Sequence, residues 1–240
     1  MAEAFFWGAA ASSALLLGAV IAYTLAPGRN VIAIVMALGS GLLIGSVAFE
    51  LIEDALKTRT VFWVAVLVLI GAGVFTLGDW LLTRGGAGDR KDPTGAQADG
   101  SPLVIVLGSV LDGIPESFVL GLTVLQGGVN PSLLVGVALS NLPEGMSSSS
   151  GLKAAGWPAL RVMLMWSAVL LVSGVSAAAG YLLLDPALGR TGALAEAFAA
   201  GALLAMLADT LLPEAYAVEG VLTGPLVVVG FAISLALSAA

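Results

Sequence analysis

The sequence predicts an all-α polytopic membrane protein, a single membrane domain over residues 1–240 with eight transmembrane helices. Two observations support this fold class. Of the 240 residues, 59% are hydrophobic and 10% are charged, whereas a soluble domain carries about 25% charged residues. The apolar residues also fall into eight segments, each near the roughly 20 residues that a helix needs to span a bilayer. We therefore expect an integral protein of the plasma (inner) membrane, with the lipid bilayer as its main partner.

Short breaks rich in Pro, Gly or charged residues separate these segments. Pro27-Gly28 ends the first segment, residues 57–60 end the second, and Gly127-Gly128 ends the fourth. One linker is long: residues 85–100 are rich in Gly, Asp and Ala, which predicts a flexible cytoplasmic linker. The predicted helices span approximately residues 4–26, 30–56, 60–83, 102–126, 131–153, 157–184, 192–216 and 219–239.

Basic residues predict the orientation of the helices, because cytoplasmic loops carry an excess of Lys and Arg. If the N-terminus is outside, the basic residues on the cytoplasmic side are Arg29, Arg84, Arg90, Lys91, Lys153 and Arg161. Those on the outer side are then only Lys57, Arg59 and Arg190. We therefore predict that both termini are outside and that the long linker is inside.

A weak internal repeat relates the second and seventh predicted helices. Residues 37–55 align without gaps on residues 197–215, with Gly41 opposite Gly201. The two helices run in opposite directions in the predicted topology. This pattern favours a 3+2+3 inverted repeat, in which three helices on each side flank a central pair and a transport site lies at the interface. Chance similarity between helices rich in small residues is the alternative.

The two central helices each carry a proline beside a glutamate at mid-membrane depth, in the sequences DGIPES (residues 112–117) and SNLPEG (residues 140–145). Each proline frees the carbonyl four residues earlier, which adds an oxygen acceptor. Asp112 and Glu116 share one helix face, as do Ser140 and Glu144. We therefore expect three carboxylates, with Ser140 and Asn141, to meet in one small volume, where their charge requires a cation or protons.

These paired motifs resemble those of the ZIP (Zrt/Irt-like) metal transporters, whose fourth helix typically reads His-Asn-x-Pro-Glu-Gly. The resemblance extends to eight helices, external termini and a long cytoplasmic loop after the third helix. It implies a transporter that moves divalent metal cations, zinc first, by alternating access, with helices one, four, five and six moving as a unit. Carried over by position, it assigns metal ligands to Asp112, Glu116, Ser140, Asn141 and Glu144, whereas Gly113 offers no side chain.

The chain departs from the family pattern at both motif histidines, which are replaced by Asp112 and Ser140. It contains no His and no Cys, so imidazole and thiolate ligands are excluded. Zinc favours nitrogen and sulfur ligands, whereas all-oxygen sites suit Mg²⁺, Mn²⁺ and Ca²⁺. Three interpretations therefore stay open: a zinc transporter, a transporter of a harder cation such as Mn²⁺ or Mg²⁺, and a ZIP-fold metal sensor or scaffold that does not transport.

Further acids lie towards the ends of two helices. Glu50, Glu53 and Asp54 lie near the outer end of the second helix, where they predict an entrance that concentrates cations. Asp209 and Glu214 lie towards the cytoplasmic end of the seventh helix and predict an exit. An ordinary helix terminus at the membrane boundary is the alternative interpretation for these residues.

Enzyme activity is not expected. Without histidine, the chain lacks the Ser–His pair of rhomboid-type proteases and the His-Glu-x-x-His motif of metalloproteases, and no Gly-x-Gly-Asp motif is present. We expect no catalytic cofactor and no nucleic-acid partner. The sequence leaves the choice of metal, proton coupling, transport direction and oligomeric state open, a homodimer included.

Overall fold

The computed structural model describes residues 1–84, 102–183 and 189–239, and this part of the chain is helical and contains no strand. We number eight helices: α1 Ala2–Thr24, α2 Arg29–Thr58, α3 Val61–Leu82, α4 Pro102–Gln126, α5 Pro131–Ala154, α6 Ala159–Leu183, α7 in the consecutive segments Gly189–Met206, Leu207–Leu211 and Leu212–Glu219, and α8 Thr223–Ser238. The all-α prediction is confirmed. The predicted linker, residues 85–100, lies outside the described residues.

Six described stretches are long and apolar enough to cross a membrane: Ala2–Thr24, Arg29–Thr58, Val61–Leu82, Leu107–Leu125, Ala159–Leu182 and Gly192–Ser238. The last of these contains both α7 and α8, and α5 is not among them. The helices α3 and α8 also expose large apolar side chains such as Leu69 and Val228, as lipid-facing helices do. These features are compatible with a helical membrane protein, and the count of eight spans stays a prediction.

The helix α5 is the polar interior of the bundle. It carries a run of serines with Asn141 and Glu144, and most of its residues are buried. It packs against α1 and α2, while α4 packs against α6 and α7. Its polar side chains therefore contact protein rather than the surroundings, which explains why its sequence is less apolar than that of the outer helices.

Reciprocal glycine contacts set the distance between pairs of helices. A Cβ built on Gly41 of α2 would overlap the Val227 carbonyl of α8, and one on Gly230 of α8 would overlap the Leu38 carbonyl of α2. Small residues allow such close backbone approach between membrane helices. The pair α3 and α7 repeats this arrangement, with Gly71 against Phe198 and Gly201 against Val68.

Both α2 and α7 contain a short π-helical segment, Val47–Ile52 in α2 and Leu207–Leu211 in α7. The gap-free alignment of residues 37–55 on 197–215 places Val47 opposite Leu207, so the two segments begin at matched positions. Such π segments inside α-helices occur frequently at functional sites. Here they carry Glu50 and Asp209, respectively.

A buried cluster of three serine hydroxyls joins α2, α5 and α8. The Oγ atoms of Ser46 and Ser132 are 3.0 Å apart, those of Ser132 and Ser234 are 2.9 Å apart, and those of Ser46 and Ser234 are 3.3 Å apart. Ser46 also donates to the Leu42 carbonyl at 3.0 Å. This cluster anchors the first turn of α5 against two neighbouring helices.

Candidate functional site

The helices α4 and α5 both continue through their internal prolines, Pro115 and Pro143. Proline has no N–H, so neither residue can close the usual bond to the carbonyl four positions earlier. For Pro143 that carbonyl belongs to Leu139, and it faces Gly39 of α2, where a Cβ would lie only 2.6 Å away. The absence of a side chain at Gly39 therefore leaves room beside this carbonyl.

All five residues predicted as metal ligands are buried between the helices. Their exposed fractions are 2% for Asp112, Glu116 and Ser140, 4% for Asn141 and 5% for Glu144. A buried carboxylate is costly unless hydrogen bonds, a counter-charge or a proton compensates it. The burial of three acids on two adjacent helices is therefore not explained by a solvated surface.

Two hydrogen bonds connect α4 to α5, and each joins a serine to a glutamate. Ser140 of α5 donates to Oε1 of Glu116 at 3.1 Å, and Ser109 of α4 donates to Oε1 of Glu144 at 3.1 Å. Asp112 lies three residues after Ser109 and four before Glu116, so all three share one face of α4. We call Ser109, Asp112, Glu116, Ser140 and Glu144 the polar seam.

The expected convergence of three carboxylates is not found in this conformation. Within residues 1–84, 102–183 and 189–239, no group of three or more Asp or Glu side chains lies close enough to hold one ion. In the antiparallel register, Glu116 faces Ser140 and Glu144 faces Ser109, which lies seven residues before Glu116 on α4. At 1.5 Å per residue, Ser109 and Glu116 are about 10 Å apart along the axis of α4. The assignment of the two glutamates as metal ligands stays a prediction.

The remaining motif positions are occupied as follows. Asn141 is buried beside Ser140 in α5. Gly113 faces α6, where a Cβ would lie 3.3 Å from Oγ of the buried Ser173. A side chain at position 113 would therefore make a tight contact with Ser173 of α6, and Gly113 avoids this contact. Sequence reasoning did not select Ser109, although its spacing of i and i+3 with Asp112 was visible in the sequence.

An acidic cavity of about 360 Å³ lies where α2 and α4 end and α5 begins. Its lining includes Glu50 and Asp54, both predicted at the entrance, together with Asn130 and Glu196. The Asn130 amide donates to the Glu50 carboxylate, while its Oδ1 accepts from the Leu133 N–H at 3.0 Å and caps α5. The cavity is therefore built against the first turn of the helix that carries Glu144.

Glu196 was missed by the sequence reasoning. It lies on α7, is only 3% exposed, and lines the acidic cavity. The available signal was the one acid in the Ala-rich segment Gly189–Met206 of α7, and an acid inside an apolar helix of a membrane protein is a functional candidate by default. Glu53, by contrast, is exposed, and its Oε1 lies 4.0 Å from Nζ of Lys57. The same Nζ lies 2.6 Å from Oδ1 of Asp54.

The predicted exit residues lie on α7. Asp209 is exposed in the π segment and accepts a hydrogen bond from Thr76 of α3 at 3.3 Å. Glu214 is half-buried in the last segment of α7. An exit role for them stays a prediction.

The polar seam offers carboxylate and hydroxyl oxygens. Such donors suit hard divalent cations, which take six or more oxygen ligands or retain several waters. In sequence, the chain matches no protein-family model and no curated protein. The interpretation of the seam therefore depends on its own residues and geometry.

Proposed function

We propose that this chain is a membrane transporter that moves divalent metal cations by alternating access through the polar seam of α4 and α5. The observation that carries the proposal is the pair of cross-helix hydrogen bonds, Ser140 to Glu116 and Ser109 to Glu144, at a buried seam that also contains Asp112. Buried ionisable residues inside apolar helices mark ion pathways in membrane proteins. The acidic cavity at one end of the same two helices supplies an entrance that concentrates cations.

The two cross-helix hydrogen bonds meet α4 at Glu116 and Ser109, about 10 Å apart along its axis, which suggests how one seam serves two stages of transport. An ion held near Glu116 lies towards the acidic cavity, because residues 123 and 127 of the α4 end line that cavity. An ion held near Glu144 lies further from the acidic cavity. Asp112 lies between Ser109 and Glu116 on α4, and therefore between the two ion positions. Movement of α4 and α5 together against the helices that line the acidic cavity would change which end of the seam is accessible, which is the kind of differential contact that alternating access needs.

The architecture proposed for this transporter is the 3+2+3 inverted repeat of eight spans, with the two termini outside. Its support is the matched pair of π segments and the matched glycine contacts of α2 with α8 and α7 with α3. The glycines involved, Gly41 and Gly201, are opposite each other in the repeat. By resemblance to the ZIP family, α1, α4, α5 and α6 would move against the other four helices.

Zinc is the proposed cargo by family resemblance, and Mn²⁺ or Mg²⁺ is the alternative favoured by the all-oxygen donor set. A metal sensor or scaffold that binds without transporting is the second alternative. No catalytic role is proposed, and the partners are the bilayer of the plasma (inner) membrane, the metal ion and, as one assembly, a second copy of the chain.

Flux measurement in proteoliposomes tests the proposal. The double variant Glu116→Gln, Glu144→Gln keeps the side-chain shapes and removes both charges, and we expect uptake of Zn²⁺ and Mn²⁺ to fall by at least about tenfold, since even outer-shell losses cost about 10–100-fold at metal sites. Glu53→Gln, which removes an exposed carboxylate, is the matched control and should retain uptake. Undiminished uptake in the double variant would refute the site, and metal binding without flux in the native chain would favour the sensor or scaffold.

A further inference from the structure

A second cavity lies at the other end of the bundle, where α1 and α5 end. It is an open cavity of about 410 Å³, lined by Ala22, Ala26, Pro27, Ser150, Lys153 and Ala154. This volume falls within the roughly 300–1,000 Å³ of small-ligand sites. We propose that this cavity binds the phosphate group of an anionic phospholipid at the membrane surface.

Lys153 is the residue that makes the cavity a site for an anion. Its Nζ donates to the carbonyl oxygens of Ala22 at 3.2 Å and Tyr23 at 3.1 Å, which lie in the last turn of α1. Carbonyls in the last turn of a helix lack intrahelical donors, so the ammonium group satisfies two acceptors that the helix leaves without a hydrogen bond. An ammonium group has three N–H donors, and these two bonds leave one for a ligand in the cavity.

The two stretches of chain that line the cavity are basic. Arg29 begins α2 two residues after Pro27, and Arg161 lies in the first turn of α6. Residues 21–31 and 150–163 contain these two arginines and Lys153, and they include no Asp or Glu. The charge of these two stretches is therefore positive, which favours an anionic headgroup over a zwitterionic one.

Aromatic contacts place the same end at the membrane–water interface. The guanidinium of Arg161 lies 5.2 Å from the centre of a Trp157 ring, and the ammonium of Lys153 lies 5.6 Å from the Tyr23 ring. The Tyr23 hydroxyl donates to the Trp157 carbonyl at 2.7 Å, which ties α1 to the turn after α5. Tyr and Trp gather at headgroup depth in membrane proteins, and basic pockets between helices bind lipid headgroups there.

The lipid site stands independently of metal transport, because none of its residues belongs to the polar seam or the acidic cavity. The test uses the purified full-length protein in a neutral detergent. Thermal unfolding is measured against increasing short-chain phosphatidylglycerol, against short-chain phosphatidylcholine, and against inorganic phosphate. We expect saturable stabilisation by phosphatidylglycerol that weakens with added salt, and none by phosphatidylcholine.

Two variants locate the effect. Lys153→Gln and Arg29→Gln should each weaken the apparent affinity for phosphatidylglycerol by about fivefold, which corresponds to about 1 kcal/mol per basic residue. Lys57→Gln, at the opposite end of α2, should leave that affinity unchanged. Because Lys153→Gln also removes contacts to the end of α1, the readout is the lipid concentration at half-effect and not the unfolding temperature itself. Lys153→Arg, which keeps a charged donor, should retain most of the affinity.

Three results would overturn the proposal. Equal stabilisation by phosphatidylcholine would mean that the protein does not distinguish an anionic headgroup from a zwitterionic one. Unchanged affinity in both Lys153→Gln and Arg29→Gln would remove the site from this cavity. Saturation of the same shift by inorganic phosphate at equal concentration would assign the cavity to a soluble anion and not to a lipid.

Discussion

Gly71 and Gly73 lie two residues apart on α3 and provide a matched test of the helix packing. A Cβ at position 71 would overlap the Phe198 carbonyl of α7, whereas a Cβ at position 73 would meet nothing within 4 Å. Gly71→Ala therefore forces α3 and α7 apart, which by analogy with overpacked cores costs about 1–3 kcal/mol. Gly73→Ala creates no contact and gains about 0.5–1 kcal/mol from the better helix propensity of Ala.

Both variants gain helix propensity, so the difference between them is the overpacking cost of Gly71→Ala alone, about 1–3 kcal/mol. Gly73→Ala should therefore be the more stable of the two. At about 2–4 °C per kcal/mol for a chain of this size, the unfolding temperatures should lie several degrees apart, with Gly71→Ala below Gly73→Ala. Thermal unfolding in detergent measures this difference. Equal unfolding temperatures for the two variants would refute the close contact of α3 with α7, and with it the packing match to α2 and α8.

Three further predictions concern the polar seam and the acidic cavity. The variant Asp112→His, Ser140→His should shift competition binding from Mn²⁺ towards Zn²⁺, because imidazole suits zinc better than carboxylate or hydroxyl does; an unmoved ratio would mean that these positions do not face the metal. Metal affinity should weaken as the pH is lowered, because in a chain without histidine the bound metal competes with protons for carboxylates; isothermal titration at several pH values that finds constant affinity would contradict carboxylate ligation. Asn130→Ala should lower the free energy of unfolding by about 0.5–2 kcal/mol through loss of the α5 cap, and Asn130→Ser should recover most of it, as measured by thermal unfolding.

The sequence by itself determined the all-helical class. This follows from local physics, because a run of apolar residues in a membrane must satisfy its own backbone groups. Pro131 also lies at the first position of α5, where proline is favoured. The sequence also singled out the buried acids Asp112, Glu116 and Glu144, because an ionisable residue inside an apolar helix is conspicuous.

The tertiary structure decided which of these residues meet. The proline motifs predicted that three carboxylates meet Ser140 and Asn141 in one small volume, and the antiparallel register pairs Glu116 with Ser140 and Ser109 with Glu144. That register depends on contacts of each helix with others, such as Gly18 and Gly145 between α1 and α5, which no local pattern encodes.

The tertiary structure also places the three acids near the end of α2 in different surroundings. All three were predicted at an entrance. Glu50 and Asp54 line the acidic cavity, whereas Glu53 is exposed and is not among the residues that line it. Glu196 joins the cavity from α7, more than a hundred residues away along the chain. Helices form from neighbours in sequence, so the sequence determined them; a cavity forms from side chains that meet only when the helices have packed, so only the tertiary structure could assemble it.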